Sequence, residues 1–307
     1  MTSGPTDGVA LRAATRGSPL ALWQVEHVAA RLAPHGVRVT PVVVETSGDR
    51  QLDRPLWEIG GKGVFVKEVQ AAVLDGRADL AVHSAKDLPS VEVDGLVLAA
   101  VPERGEPRDA LVGSTLAELP TGATVATGSV RRRAQLAWLR PDLTFSDLRG
   151  NIATRLAKAD GFAAIVMAAA ALERLEMADR AAEVLSPDVM LPQVGQGTLA
   201  IEARAGDTAV REALAPIEHG PSRVALEAER GFLAELGGDC DLPAGAHATL
   251  VDGPGAAEVR VEALLASLDG HVVLRDVAAG PAADAAALGH ALARRLVDEH
   301  GGASLLA

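Results

Sequence analysis

The sequence predicts two doubly wound α/β domains followed by a C-terminal α+β domain. Three observations carry this assignment. Over the first two-thirds of the chain, short apolar runs alternate with helix-period stretches, as in a sheet covered by helices on both faces. The alternation restarts near residue 123. After about residue 218 the texture changes to alternating strands around Asp-Gly turns, closed by an Ala-rich helix. At 307 residues with 48% hydrophobic content, the chain can bury the cores of two or three domains. The expected partition is 1–103 with 197–217, then 104–196, then 218–307.

VALRAAT (9–15) is the first expected strand. Ser18 comes next as an N-cap, with Pro19 at the first helical position and LALWQVEHVAARL as an amphipathic helix ending before Pro34. VRVTPVVVET (37–46) is a strand, VFVKEVQAAVLDG a helix stopping at Gly76, and ADLAVHSAKDLP a strand running into a polar loop. ATVATGS (123–129) then leads into the helix VRRRAQLAWL, LTFSDLRGN into IATRLAKA, and FAAIVMA into AALERL. TLAIEAR (198–204) is a further strand able to return to the first unit. The last third holds the helix SRVALEAERGFLAEL, three strands around Asp252-Gly253 and Asp269-Gly270, and a helix over about 282–299.

Net charge is −12 and aromatic residues make up 2%, with no Tyr, which argues against a nucleic-acid surface with stacking platforms. The opening MTSGPTDG has no basic segment or apolar core, and no uncharged apolar run reaches the ~18 residues needed to span a bilayer. A cytoplasmic protein is expected. Lys occurs four times, at 62, 67, 86 and 158, against 25 Arg, so three of four lysines fall between 62 and 86. Where Arg is the common choice, a Lys there suggests a need for a compact ammonium.

In an open α/β sheet, ligands bind beyond the carboxyl ends of the strands. The polar residues just past the ends of the expected strands are Arg16 and Ser18; His83, Lys86 and Asp87; Ser129, Arg131 and Arg132; Arg149 and Arg155; and Arg174. Five strand ends thus converge on one basic cleft in an acidic protein. Each residue alone reads as a cap or a solvated charge. Together they place several Arg against the positive end of helix dipoles, a conflict that an anionic ligand resolves. GGKG (60–63) lacks the hydroxyl and spacing of a nucleotide-binding loop, so carboxylates are the better match. Asp87 is the acid in this setting, suited to face a developing cation. His83 reads as a packed imidazole, and the glycines around Lys62 as a flap.

Cys240 is the only cysteine. It cannot form an intramolecular disulfide, and it lacks neighbours at metal-ligand spacing, so no metal is expected. A small core residue is one reading. Its neighbours Asp239, Asp241, Pro243 and Gly245 favour a loop thiol instead.

These motifs resemble the porphobilinogen deaminase (hydroxymethylbilane synthase) family: ATRGSPLALWQ (14–24), GGKGVFVKE (60–68), RADLAVHSAKDLP (77–89), TGSVRRRAQL (127–136), LRGNIATRL (148–156), LPQVGQG (191–197) and the Cys240 loop, in the right order over nearly the whole chain. The resemblance implies a transferase of tetrapyrrole (haem) biosynthesis with a dipyrromethane cofactor attached through Cys240 by a thioether. It also implies head-to-tail condensation of four porphobilinogen molecules with loss of ammonia, then hydrolytic release of hydroxymethylbilane. Carried over by position, Asp87 assists departure of the amino group, stabilises the azafulvene-like cation and contacts the cofactor. Lys86, Ser129, Arg131 and Arg132 grip cofactor carboxylates. Arg16, Ser18, Arg149, Arg155 and Arg174 grip the substrate and growing chain, and Lys62 belongs to the flap. A monomer acting on a small molecule, without nucleic acid or membrane, is implied.

The sequence departs from the family pattern at Asp239, where a glycine is usual, and at Glu58, where a basic residue is usual. Carboxylates flanking the thiol would raise its pKa and slow attachment. Two alternatives stand beside the enzyme: a divergent paralogue, and a non-catalytic two-domain carboxylate binder like the periplasmic binding proteins, which share the alternating layout. The third domain with Cys240 favours the enzyme.

Overall fold

The computed structural model describes residues 8–46, 66–237, 242–252 and 257–306. The expected flap with Lys62 and Glu58, and the loop residues Asp239 and Cys240, lie outside the described residues. The chain forms two compact units: Met1–His83, Glu92–Glu103 and Leu199–His219 in the first, and Ser84–Val91, Arg104–Thr198 and Gly220–Ala307 in the second.

The first unit holds the strands β1 (Val9–Thr15), β2 (Val37–Val43), β3 (Leu80–Ser84), β4 (Leu96–Ala100) and β10 (Leu199–Arg204) in the order β2-β1-β3-β10-β4. Helix α1 (Pro19–Leu32) comes after β1. Ser18 caps it by accepting from the Ala21 amide at 3.3 Å, an interaction typically worth about 1 kcal/mol. Alternate strand residues face opposite sides. Leu11, Ala13, Leu80 and Val82 pack with Val25, Val28 and Leu32 of α1. Ala14 and Ala81 pack with Val69, Ala72 and Val73 of α2 (Lys67–Leu74). Both faces are therefore covered, as a doubly wound sheet requires.

The second unit repeats the plan with β5 (Asp109–Val112), β6 (Thr124–Ala126), β7 (Thr144–Ser146), β8 (Ala164–Ala168) and β9 (Glu183–Val184), in the order β7-β6-β8-β5-β9. Its helices include α3 (Val130–Leu139), α4 (Ile152–Ala157) and α5 (Ala169–Arg174). Leu156 and Leu172 cover one face, Leu136 the other.

The sheets are mixed rather than purely parallel. β1 runs parallel to β2 and β3, and β6 parallel to β7 and β8. β10, however, is antiparallel to β4, and β5 is antiparallel to both β8 and β9. A parallel neighbour needs a crossover connection, whereas β5 and β10 each begin just after the chain passes from one unit to the other and are free of that constraint. α6 (Thr208–Leu214) comes after β10 and adds Val210 and Leu214 to the first core.

The remainder of the second unit is an antiparallel sheet β11-β12-β13 (Ala244–Asp252, Ala257–Ala266, Val273–Pro281) with α7 (Gly220–Leu236) and α8 (Ala285–Arg294). Val259, Val261 and Ala263 meet Phe232, Leu292 and Leu296, while Leu264 and Ala266 meet Ala134 of α3 on the other side. The last helix is shorter than the sequence implies. Residues 282–284 form a 3-10 turn and 295–299 a π-helical one. Among the described residues, no helix is long and apolar enough to cross a membrane.

Candidate anion-binding site around Asp109

The site of the second unit is organised by a residue that no sequence signal singles out. Asp109 opens β5 and is fully buried. Arg131 and Arg132 stand in the first turn of α3, next to Ser129, whose hydroxyl caps the helix by accepting from the Arg132 amide at 3.4 Å. Both arginines are buried, and both reach Asp109. Arg131 Nη2 lies 2.8 Å from Oδ2, while Arg132 Nε and Nη2 lie 3.0 and 2.7 Å from Oδ1. Their other arms donate to backbone carbonyls, Arg131 Nη1 to Leu191 at 2.6 Å and Arg132 Nη1 to Val166 at 3.1 Å.

Burial alone would raise the Asp109 pKa. The charges of Arg131 and Arg132, with hydrogen bonds from Arg132 and Gln196, override it and hold the carboxyl well below the usual carboxylate range. Burial likewise presses the Arg131 pKa down against the attraction of Asp109. The dipole conflict at this helix start is thus met first from within the protein, by Asp109.

Lys86 and Asp87 lie in a 3-10 turn (Ala85–Asp87) just beyond β3. The LPQVGQG segment and Thr198 just after it hold that turn: Ala85 N donates to Thr198 O at 2.9 Å, and Gln193 Nε2 to Lys86 O at 3.3 Å. Gly195 adopts φ +71°, and a Cβ there would sit 3.0 Å from Ala85 Cβ and 3.1 Å from Lys86 N. Gly195→Ala is therefore expected to cost at least about 1–2 kcal/mol for the left-handed backbone alone, read as a lowered midpoint in urea unfolding.

Part of Lys86 reaches solvent, but its ammonium is desolvated, and that burial with repulsion from Arg132 and Arg155 pushes its pKa down to about 8 against the pull of Asp87 and Asp109. Arg155 is held near 10 by burial, then by repulsion from Arg132, with Asp87 opposing and Arg149 adding to it. Its Nε donates to Gly150 O at 2.8 Å, beside α4, which Asn151 caps through the Thr154 amide at 2.9 Å. Among the described residues, Lys86, Arg131, Arg132, Arg149 and Arg155 thus form one electrostatic group, faced by two carboxylates. For Arg174, burial lowers the pKa to about 10 against the attraction of Glu173, and its Nη2 donates to Gly197 O at 2.6 Å.

Arg16 and Ser18 belong to the first unit, in the β1–α1 connection. There Ser18 serves as the helix cap. His83 is buried in the first unit, with Nε2 3.1 Å from Glu202 Oε2, and Gln70 Nε2 donates to both oxygens of Glu202 at 3.1 and 2.9 Å. This agrees with a packed imidazole. Among the described residues, no group of three or more His, Cys, Asp or Glu is arranged to hold a metal. Sequence reasoning misses Asp109 and Gln196.

Cations gathered beyond strand ends, two of them buried arginines, define an α/β protein with a basic site suited to a multiply charged anion. The chain belongs to the porphobilinogen deaminase family. Residues 11–212 match the family model described as "Porphobilinogen deaminase, dipyromethane cofactor binding domain", and residues 224–298 match "Porphobilinogen deaminase, C-terminal domain". The chain is 50% identical over 300 residues to the porphobilinogen deaminase of Roseiflexus castenholzii, covering 95% of this chain and 97% of the relative. It is 47% identical over 295 residues to that of Syntrophotalea carbinolica, covering 94% and 92%. Among solved structures, a nutrient binding protein from Burkholderia cenocepacia bound to methionine is similar at a TM-score of 0.38 and 14% identity, covering 67% of this chain and 90% of that one.

Proposed function

We propose that this chain is a deaminating transferase that condenses four porphobilinogen molecules head to tail, releasing one ammonia for each, and then frees hydroxymethylbilane by hydrolysis. Family membership supports this reading, and one observation of the structure carries it: among the described residues, Lys86, Arg131, Arg132, Arg149 and Arg155 act on one another and on Asp87 and Asp109, and Asp109 is already engaged by two of the arginines. Such a group calls for a ligand bearing several carboxylates.

The same residues fit a dipyrromethane bearing acetate and propionate groups. Nε of Arg131 is buried with no hydrogen-bond partner among the described residues, a donor that a ligand carboxylate would satisfy. Lys86, Ser129, Arg131 and Arg132 would hold the cofactor, with Cys240 as its covalent attachment. When bound, the dipyrromethane supplies the primer to which porphobilinogen units are joined. Arg149 and Arg155 would bind carboxylates on the substrate side, together with Arg16, Ser18, Arg174 and Lys62. The Asp87 carboxyl attracts the charges of Lys86 and Arg155, and from there it would face the positive charge that develops as the substrate amine leaves. The partition into 1–103 with 197–217, 104–196 and 218–307, a cytoplasmic location and a monomeric state belong to the same proposal.

Intact-mass measurement tests the reading. The purified protein is expected to carry an adduct the size of two linked pyrroles, and Cys240→Ser to lack it. An unmodified mass in active protein overturns the covalent assignment.

A further inference from the structure

One neutral side chain touches both halves of the charged group. Gln196 is fully buried, its Nε2 donating to Pro107 O at 2.7 Å and to Asp109 Oδ1 at 2.9 Å, while its Oε1 accepts from Lys86 Nζ at 3.4 Å. Rotating the amide by half a turn would set its oxygen against two acceptors with no hydrogen between them, so the orientation is forced. The backbone is equally fixed. Gly195 N donates to Glu229 Oε2 at 2.7 Å, and the Gln196 carbonyl accepts from Arg104 Nε at 2.9 Å. Arg104 is itself paired with Glu229 at 2.6 Å.

We propose that Gln196 is a positioning residue: it presents a fixed oxygen to the ammonium of Lys86 and ties that cation to the arginine pair sharing Asp109. That Lys86 then faces a ligand carboxylate rests on the proposed deaminase function. The charges acting on Lys86 are Arg132 and Arg155, which repel it, and Asp87 and Asp109, which attract it. The Gln196 dipole adds to the attraction and helps keep the ammonium protonated despite its desolvation.

The chain has four lysines, so Lys86 can be tracked directly by carbon-13 NMR of lysine-labelled protein, assigned with Lys86→Arg. In Gln196→Met, which keeps the length and removes the oxygen, the Lys86 midpoint is expected to fall by about half to one pH unit, with Lys67 and Lys158 unmoved. In Gln196→Glu the midpoint is expected at or above that of the unaltered protein, because an oxygen still faces Lys86 whether the new carboxyl is ionised or shares its proton with Asp109. A purely structural role would shift both variants alike. An unmoved midpoint in folded Gln196→Met, or a lowered one in Gln196→Glu, overturns the proposal. If Gln196→Met does not fold, Gln196→Glu alone decides. Intact mass of the same unaltered sample reads the covalent group separately, so a missing adduct in active protein overturns the covalent assignment and leaves the Lys86 result standing.

Discussion

Asp109→Ala is expected to lower the free energy of unfolding by roughly 3–5 kcal/mol, the usual cost of removing one partner from a buried ion pair. The reason is geometric. Both arginines remain buried, their backbone contacts to Leu191 and Val166 hold them in place, and the carboxylate that accepted from both is gone. Urea unfolding at pH 7 measures the loss. The pH dependence gives a second reading. Because the native carboxyl titrates below its unfolded value of about 3.9, its contribution is present in full above that pH and is lost as pH falls toward the depressed native value. The unaltered protein should therefore lose stability steeply below about pH 4, and Asp109→Asn should be less stable at pH 7 but flatter across the acid range. Equal stability of the two proteins at neutral pH would remove Asp109 from its organising role.

Asp87→Asn is expected to slow ammonia release by about a hundredfold to a thousandfold, the scale on which a single electrostatic contact to a transition state acts. Asp109 is committed to Arg131, Arg132 and Gln196, which leaves Asp87 as the carboxylate able to meet positive charge on a ligand. The substitution also removes an attraction that raises the pKa of Lys86 and Arg155. The Lys86 midpoint, near 8 in the unaltered protein, should consequently move down. Because Asp87 is half-exposed in a short turn, the fold should be retained, as circular dichroism would show. Ammonia release at the unaltered rate would contradict the assignment.

Much of this is legible locally. Ser18, Ser129 and Asn151 each cap the helix expected from its sequence, because capping is decided within three residues. The gathering of Lys86, Arg131, Arg132, Arg149 and Arg155 comes from the rule that strand ends carry the ligand site. Asp109 is not legible, since in PRDALV it has the look of a turn residue and its partners lie 22, 23 and 87 residues away. Gln196 escapes for a related reason: a neutral amide between two glycines carries no charge signal. The strands β4, β5 and β9 are hidden because no helix comes directly after them to complete the alternation that reveals the equally short β6, β7 and β8. The antiparallel directions of β5 and β10 depend on chain routing between units, which no local pattern encodes.

The place of β10 between β3 and β4 has a consequence for biosynthesis. A nascent chain of a hundred residues already contains β1 to β4, yet it lacks the inner strand whose Leu199, Ile201 and Ala203 complete the first core. Until the ribosome has delivered about twice that length, the emerging N-terminal portion has a gap at the middle of its sheet and unpaired edges beside it. The later-translated unit has its own five-stranded sheet complete by Val184. Translation order and folding order are thereby uncoupled, because the first sheet closes only when β10 has been made.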